Sequence, residues 1–321
     1  MRPVTLFFIL FFALFASSAS FAKTLFINIG TGGITGVYYP TGALITKILN
    51  RSQGTLVMKA VVEPTSGAVF NINAILGGHL LFGLAQSDRQ YQAVTGTADW
   101  LKRGPQKNLR SVFSLYPEIV TLVAAADSEI KTISDLRGKK VNIGPLGSGY
   151  RQNSLDALTL AGLDPLTDLT TFDQRVDRAN KMLQHGDIDA FFYTVGHPNN
   201  SSNKASSGSR KVNFVAIPTT DTFFTDKPYY EKAVIPIAHY PAATNTSDVE
   251  SFAVKAGLVT SAKVSEEIVY AVTKAIFENF DYFKNYHPAY SGLSKKEMIK
   301  DNEAPLHPGA LLYYRESGLL P

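Results

Sequence analysis

The hydrophobic positions of this 321-residue chain follow two alternating patterns. Short apolar runs rich in β-branched residues and Phe predict strands, and they span residues 25–29, 56–62, 80–85, 112–115, 120–125, 140–143 and 188–193. Between several of these runs and again after them, apolar residues at helical spacing predict helices, with faces formed by Leu44, Ile45, Ile48 and Leu49, by Val69, Ile72, Ile75 and Leu76, and by Ile268, Val272, Ile276, Phe280 and Phe283. Strands that alternate with helices predict an α/β fold with parallel sheets packed between helices.

The first apolar run differs from the others. Arg2 precedes an almost wholly apolar stretch at 4–15, and Ser20 and Ala22 occupy the −3 and −1 positions of a cleavage site. This pattern predicts a secretory signal peptide over residues 1–22 and a protein exported to the periplasm. An uncleaved membrane anchor is the alternative, and it is disfavoured because the run is shorter than the ~20 residues that a spanning helix needs.

Composition and charge narrow the class of protein. The chain has no cysteine, which excludes a lipoprotein anchor, disulfides and thiolate metal sites. Its 45% hydrophobic and 18% charged residues are typical of a packed globular protein, and its length favours two domains over one. A net charge of +4 is too small and too scattered to indicate a nucleic-acid-binding surface.

Glycine-rich or polar loops follow four of the predicted strands. They occupy residues 30–36, 63–67, 86–88 and 144–150, and most of them lead into a predicted helix. Backbone N–H groups and helix N-termini bind anions without needing a cation. Since ligands in open α/β sheets sit beyond the carboxyl ends of the strands, these loops predict an anion-binding crevice.

Each candidate residue also has a structural interpretation. A glycine-rich turn by itself is more often a tight connection than a site, and the loop at 30–36 has Thr35 where a dinucleotide fingerprint needs its last glycine. Tyr38 and Tyr39 fit the core or a ligand contact equally well. We expect Asp88 to be a helix N-cap and His307 to be structural. With no HExxH, GxSxG or Walker A motif, no catalytic group, cofactor or metal site is predicted.

Seven segments together carry a resemblance to a known family. They are GTGGITGVYYP (30–40), EPTSGAVFNINAI (63–75), AQSD (85–88), SLYPE (114–118), DLRGKKVNIGPLGSGY (135–150), GDIDAFF (186–192) and PLHPGALLYY (305–314). In this order they resemble the TAXI-type solute receptors of TRAP transporters. The resemblance implies a two-lobed type II periplasmic-binding-protein fold, in which each lobe is a sheet flanked by helices. It also implies a monomeric receptor that binds a small carboxylate, such as glutamate or 2-oxoglutarate, and delivers it to a TRAP-type permease.

This resemblance also predicts how the chain divides between the lobes. Lobe 1 is expected to contain residues 23–116 and 238–321, and lobe 2 residues 117–237. The chain would cross near 114–118 and return near 233–241, so that two strands form the hinge.

Carried over residue by residue, the resemblance assigns ligand contacts to both lobes. They are Thr31, Gly32, Gly36 and Tyr38 on the first loop, Ser66 and Asn71 on the second, Gln86 after the third strand, and Ser148, Gly149 and Tyr150 in lobe 2. The tyrosine departs from the GSGT of the family, which puts the pocket size and the ligand in question. A second departure is the polar stretch NNSSNKASSGSR at 199–210, which has no apolar face and predicts an exposed, mobile loop.

Two other function classes stay open at this stage. An exported enzyme on the same scaffold is the first alternative, although the missing catalytic constellation argues against it. A surface interaction protein or antigen whose pocket has lost its ligand is the second.

Overall fold

The computed structural model describes residues 24–52, 57–300 and 302–321. The predicted signal peptide, at 1–22, lies outside the described residues. Within them, no helix is both long and apolar enough to span a membrane.

The described residues form alternating strands and helices. The strands are β1 (Thr24–Gly30), β2 (Val57–Glu63), β3 (Phe82–Gln86), β4 (Leu109–Ala125), β5 (Lys140–Asn142), β6 (Thr170–Phe172), β7 (Ala190–Val195), β8 (Val212–Val215), β9 (Glu231–Ile235) and β10 (Val249–Ser261). The helices are α1 (Tyr38–Arg51), α2 (Ala68–Leu76), α3 (Ser87–Thr95), α4 (Gly149–Leu160), α5 (Val176–His185), α6 (Asn200–Ser206), α7 (Asp221–Asp226), α8 (Glu266–Glu278), α9 (Phe280–Lys284), α10 (Lys295–Met298) and α11 (Pro308–Glu316).

One continuous sheet contains all of these strands. Its order is β2-β1-β3-β10-β4-β7-β5-β6, with β8 added to β4 and β9 added to β10. The pairs among β1, β2 and β3 and among β5, β6 and β7 are parallel, whereas β10 is antiparallel to both β3 and β4. The α/β prediction is therefore confirmed, but the sheet is mixed rather than parallel, because β4 and β10 are antiparallel to their neighbours. The two predicted strands at 112–115 and 120–125 are halves of the long strand β4.

Two long strands, β4 and β10, run through both halves of the sheet. The end of β10 pairs with β3 in lobe 1, while its start pairs with β9 in lobe 2. The register of β10 against β4 shifts between Lys255 and Gly257, and such an irregularity bends a strand. Residues 249–253 of β10 pair with β9 and residues 256–260 pair with β3, so both pairings lie after the expected return at 233–241. We therefore propose that lobe 2 extends beyond residue 237 to the middle of β10.

The predicted helix faces are buried against the sheet. On α1, Leu44, Ile45 and Leu49 are fully buried. The third predicted face divides between α8 and α9, because the helix breaks at Asn279. Burying a leucine or isoleucine side chain contributes about 1.5–3 kcal/mol, so these faces fix the helices onto the sheet.

The serine-rich segment at 199–210 is not the exposed loop that its polarity predicts. It contains α6, whose N-cap Asn199 accepts a hydrogen bond from the Ser202 backbone N–H at 2.9 Å. The hydroxyl of Ser201 is fully buried and donates to Thr35 Oγ1 at 2.8 Å. The prediction was wrong because small side chains allow close backbone approach, and their buried hydroxyls find partners without any apolar face.

A buried histidine makes stability depend on pH. The His197 ring lies between the Tyr240 hydroxyl, 2.6 Å from Nδ1, and Thr121 Oγ1, 2.9 Å from Nε2. Burial, with a smaller contribution from His239, lowers the pKa of His197 to about 3. The imidazole therefore stays neutral in the folded protein while the unfolded chain takes up a proton below its pKa of 6.5.

We expect this stabilisation to be complete above pH 6.5 and to be lost as the pH falls toward 3. The loss should be about 1.4 kcal/mol per pH unit. Urea unfolding of wild type and His197→Gln at pH 7, 6 and 5 measures it, because the variant lacks this titration and its unfolding free energy should fall less steeply. Equal slopes for the two proteins would contradict the prediction.

Candidate functional site

A cavity of about 60 Å³ lies between the two lobes, at the carboxyl ends of the parallel strands. Lobe 1 lines it with Gly32, Gly33, Val37, Tyr38, Thr65, Ser66, Gly67, Ala68 and Gln86. Lobe 2 lines it with Pro145, Gly149, Tyr150, Arg175, Val176, Asp177, Tyr193, Thr194 and Val195. Glu118 lies between the two sets, on β4. The cavity thus occupies the position at which ligands bind in open α/β sheets.

Four helices begin at this cavity. The first residues of α1, α2, α4 and α5 are Tyr38, Ala68, Gly149 and Val176, and all four line it. The first turn of a helix carries unpaired backbone N–H groups and a partial positive charge. Their convergence from both lobes makes the cavity suitable for an anion.

The charged side chains at the cavity differ in exposure. Arg175 and Asp177 are exposed at the rim, whereas Glu118 is only 3% exposed. Burial raises the pKa of Glu118 well above its usual value, although the hydrogen bond from the Tyr38 hydroxyl opposes this. Burial therefore shifts the equilibrium of Glu118 toward its protonated, uncharged form.

One buried hydroxyl at the cavity lacks a protein partner. Thr194 is 6% exposed, and its Oγ1 has no hydrogen-bond partner among the described residues. Leaving such a group unsatisfied costs about 1–3 kcal/mol. A polar ligand in the cavity would remove that cost.

Six of the ten residues expected to contact ligand line the cavity. They are Gly32, Tyr38, Ser66, Gln86, Gly149 and Tyr150. The other four, Thr31, Gly36, Asn71 and Ser148, are not among the lining residues. The Ser148 hydroxyl donates to the Pro145 carbonyl at 2.7 Å, and a Cβ at Gly36 would lie 2.2 Å from the Tyr193 hydroxyl oxygen.

Asn71 and Thr31 hold the first two loops together. Asn71 donates from Nδ2 to the carbonyls of Thr31 and Leu84 at 2.7 and 2.8 Å, and its Oδ1 accepts from Thr65 at 2.7 Å. Thr31 donates from its hydroxyl to the Glu63 carbonyl at 2.7 Å. These bonds use both side chains, so the two residues position the loops that line the cavity.

Tyr150 reduces the size of the cavity. Its ring packs edge-on to Tyr193, with the centroids 5.1 Å apart and the planes at 84°. It also covers Gly144, where a Cβ would lie 2.3 Å from the ring. The threonine that the family resemblance expects at this position would leave more room.

Several lining residues were not predicted. Glu118 belongs to the SLYPE segment, which contributed to the family resemblance but was assigned no ligand contact. Tyr193 is the last residue of a predicted strand. Arg175 follows β6, a strand of three residues that is too short for its pattern to be recognised. The only available signal was the position of these residues at or after strand ends.

The lobes contact each other directly beside the cavity. The Phe70 backbone N–H on α2 donates to the Gly147 carbonyl at 3.1 Å. Gln86 donates from Nε2 to Asn153 Oδ1 on α4 at 2.9 Å. The structure is therefore a closed arrangement of the lobes.

A set of buried polar side chains, here called the interlobe network, continues from the Gln86 contact. It consists of Gln86, Asp88, Asn153, Asp156 and Tyr230. Asn153 donates from Nδ2 to Asp88 at 2.6 Å and to the Tyr230 hydroxyl at 2.9 Å, and that hydroxyl donates to Asp156 at 2.6 Å. The network joins α3 in lobe 1 to α4 in lobe 2.

Asp88 is not the helix N-cap that its sequence position suggests. Gln86 occupies the N-cap position of α3, and Asp88 lies in the first turn. Its carboxylate pairs with the buried Arg89 at 3.0 Å and accepts from Asn153, so tertiary partners replace the capping role. His307, by contrast, is structural as expected, because its Nδ1 accepts from the Gly309 backbone N–H at the start of α11.

A larger groove of about 390 Å³ lies nearby, and Lys181, His185 and Lys204 are among the residues that line it. It is open to solvent, and these three side chains come from α5 and α6. The cavity between the lobes, in contrast, has four helix N-termini at its lining. Among the described residues, no three His, Asp or Glu side chains are grouped to hold a metal ion.

Comparison with known proteins agrees with this architecture. The model of the NMT1-like family matches residues 29–318. MatC from Rhodopseudomonas palustris, solved with bound malate, is 16% identical with a TM-score of 0.54, and the match covers 91% of this chain and 97% of MatC. A periplasmic transporter structure is 16% identical with a TM-score of 0.53, and the match covers 92% of this chain and 93% of that one. A Bordetella bronchiseptica protein is 13% identical with a TM-score of 0.53, and the match covers 91% of this chain and 98% of that one.

These structures confirm the predicted periplasmic-binding-protein fold of type II. Because the family match spans residues 29–318, the chain belongs to the NMT1-like family, a solute-binding family associated with TAXI-type receptors.

Proposed function

We propose that this protein is a periplasmic receptor that captures a small carboxylate between its lobes and delivers it to a TRAP-type permease. The observation that carries the proposal is the convergence of four helix N-termini on one cavity between the lobes. Each supplies N–H groups and partial positive charge to an anion. The malate bound by MatC, which has the same fold, supports a carboxylate ligand.

The size of the cavity favours a small ligand. Its volume of about 60 Å³ is less than half of the ~150 Å³ that accommodates benzene in an engineered protein cavity. A dicarboxylate such as malate, 2-oxoglutarate or glutamate therefore requires Tyr150 or the lobes to shift outward. Larger ligands such as nucleotides are disfavoured.

In this proposal, binding is a change of population between open and closed forms. The groups from lobe 2 reach the ligand only when the lobes are closed, so a bound anion stabilises the closed form. Charge-assisted hydrogen bonds contribute about 1.5–3 kcal/mol each, and three or four of them support micromolar affinity after the cost of association. The permease would recognise the closed form of the monomer.

A thermal-shift screen followed by calorimetry tests the ligand class. We expect malate, 2-oxoglutarate or glutamate to stabilise the protein by about 2.7 kcal/mol at a concentration near 100 times Kd. Glucose and AMP, as a neutral sugar and a nucleotide, should cause no shift. Stabilisation by glucose with none by any carboxylate in a broad panel would refute the proposal.

A further inference from the structure

Glu118 is the buried acidic side chain of the cavity. It lies on β4 where this strand passes between the lobes, and its register neighbour on β10 is Val254. The Tyr38 hydroxyl donates to Oε2 at 2.8 Å. No other side-chain hydrogen bond to Glu118 is made within the described part of the chain, so Oε1 is available to a molecule in the cavity.

Within the described part of the chain, no cationic side chain forms an ion pair with Glu118, and the buried Arg89 is paired with Asp88 instead. Four titratable groups face it: Tyr38 from α1, Tyr116 from its own strand, Tyr193 from β7 and Asp88 from α3. Two charged groups lie at the cavity rim, namely Arg175, just before α5, and Asp177, in its first turn. Asp88 is itself negative but paired with Arg89. Arg175 is exposed at the rim, where water screens its charge.

We infer that Glu118 keeps its proton when ligand is bound and donates a hydrogen bond from its carboxyl group to an oxygen of the ligand. This inference rests on the proposed function, because it requires an anionic ligand. It makes Glu118 a residue that determines which carboxylates the site accepts.

The geometry places the proton on the cavity side. Tyr38 already donates to Oε2, so a proton on Glu118 belongs on Oε1, where it can be donated to the ligand. An ionised Glu118 would instead face the incoming carboxylate in a site of low dielectric, where like charges repel strongly. Binding therefore favours the protonated acid and draws in a proton if Glu118 was ionised beforehand.

A protonated Glu118 selects among small acids. It offers a donor to a carboxylate, keto or hydroxyl oxygen, whereas an ammonium group at this position would need the ionised form. Malate and 2-oxoglutarate should therefore bind more tightly than an α-amino acid whose ammonium group faces Glu118.

Infrared difference spectroscopy and calorimetry together test the inference. In the liganded wild type, subtracting the spectrum of Glu118→Gln should reveal the carbonyl band of a protonated carboxyl group. The control Asp177→Asn, which removes an exposed carboxyl group at the same cavity, should leave that band unchanged. In titrations with malate, Glu118→Ala should lose roughly thirtyfold in affinity and Glu118→Gln, which keeps a donor, less than about tenfold.

Proton linkage supplies a second readout. Titrations at pH 6, 7.5 and 9 in buffers of different ionisation enthalpy report proton uptake, and any uptake by wild type should be absent from Glu118→Gln. If malate binds but the liganded protein shows no protonated carboxyl band, the inference is wrong while the proposed function stands. If no carboxylate binds to wild type, the proposed function itself fails.

Discussion

Replacing Gly149 by valine is expected to prevent closure of the lobes and to weaken ligand binding by about a hundredfold, which corresponds to about 3 kcal/mol. A Cβ at Gly149 would lie 1.5 Å from Gln86 Oε1 and 3.1 Å from the Ala68 Cβ. Gly149 begins α4 in lobe 2, while the two groups that it would meet belong to lobe 1. Because the clash exists only in the closed form, opening of the lobes relieves it and each lobe should still fold.

Calorimetry with the best ligand and small-angle scattering with and without it measure these effects. On addition of ligand, the lobes of wild type should close and the protein become more compact, whereas Gly149→Val should remain open. The matched control is Gly292→Val, because among the described residues, its chain neighbours aside, no heavy atom lies within 4 Å of a Cβ at that glycine. Wild-type affinity for Gly149→Val, or lost stability with unchanged affinity, would show that this close approach is not part of closure.

Replacing Asn153 by leucine should disrupt the interlobe network. Leucine has a similar size but cannot form the hydrogen bonds that Asn153 makes with Gln86, Asp88 and the Tyr230 hydroxyl in the closed form. Gln86 Nε2 is then left unsatisfied, which costs about 1–3 kcal/mol, whereas Asp88 keeps Arg89 and the Tyr230 hydroxyl keeps Asp156. We expect the closed form to lose about 2–3 kcal/mol, and ligand affinity to fall thirtyfold to about a hundredfold.

The effect on closure is separable from an effect on folding. Opening lets water reach Gln86 and Asp88, so the loss of affinity in Asn153→Leu should exceed its loss of unfolding free energy, measured with urea in the absence of ligand. Asn285→Leu, at an exposed asparagine after α9, is the control and should change neither quantity. A loss of stability without a loss of affinity would assign the network to folding alone.

Much of the fold followed from local pattern. The apolar faces at 44–49 and 69–76 predicted α1 and α2, because a helix must bury the residues that repeat at its own period. The glycine-rich loops predicted the edge of the sheet at which the cavity lies, since parallel strands end together. The seven segments of family resemblance predicted the two-lobed fold that the solved structures share.

Other features depend on partners that are distant in the chain. The antiparallel pairing of β10 with β3 and β4 became visible only in the structure, because an apolar run does not reveal its neighbour or its direction. Nothing in the composition of 199–210 indicates that the Ser201 hydroxyl donates a hydrogen bond to Thr35, which is far away in sequence.

The same distinction applies to the site. The sequence alone predicted four of the loops that line the cavity, because the loops that follow parallel strands gather at one edge of a sheet. Tertiary structure decided which groups face the cavity: the Ser148 hydroxyl donates within its own loop, whereas Glu118 and Thr194 line the cavity. The physical reason is that the direction of a side chain, its burial and hence its pKa are set by contacts between lobes, and these form only when the whole chain has folded.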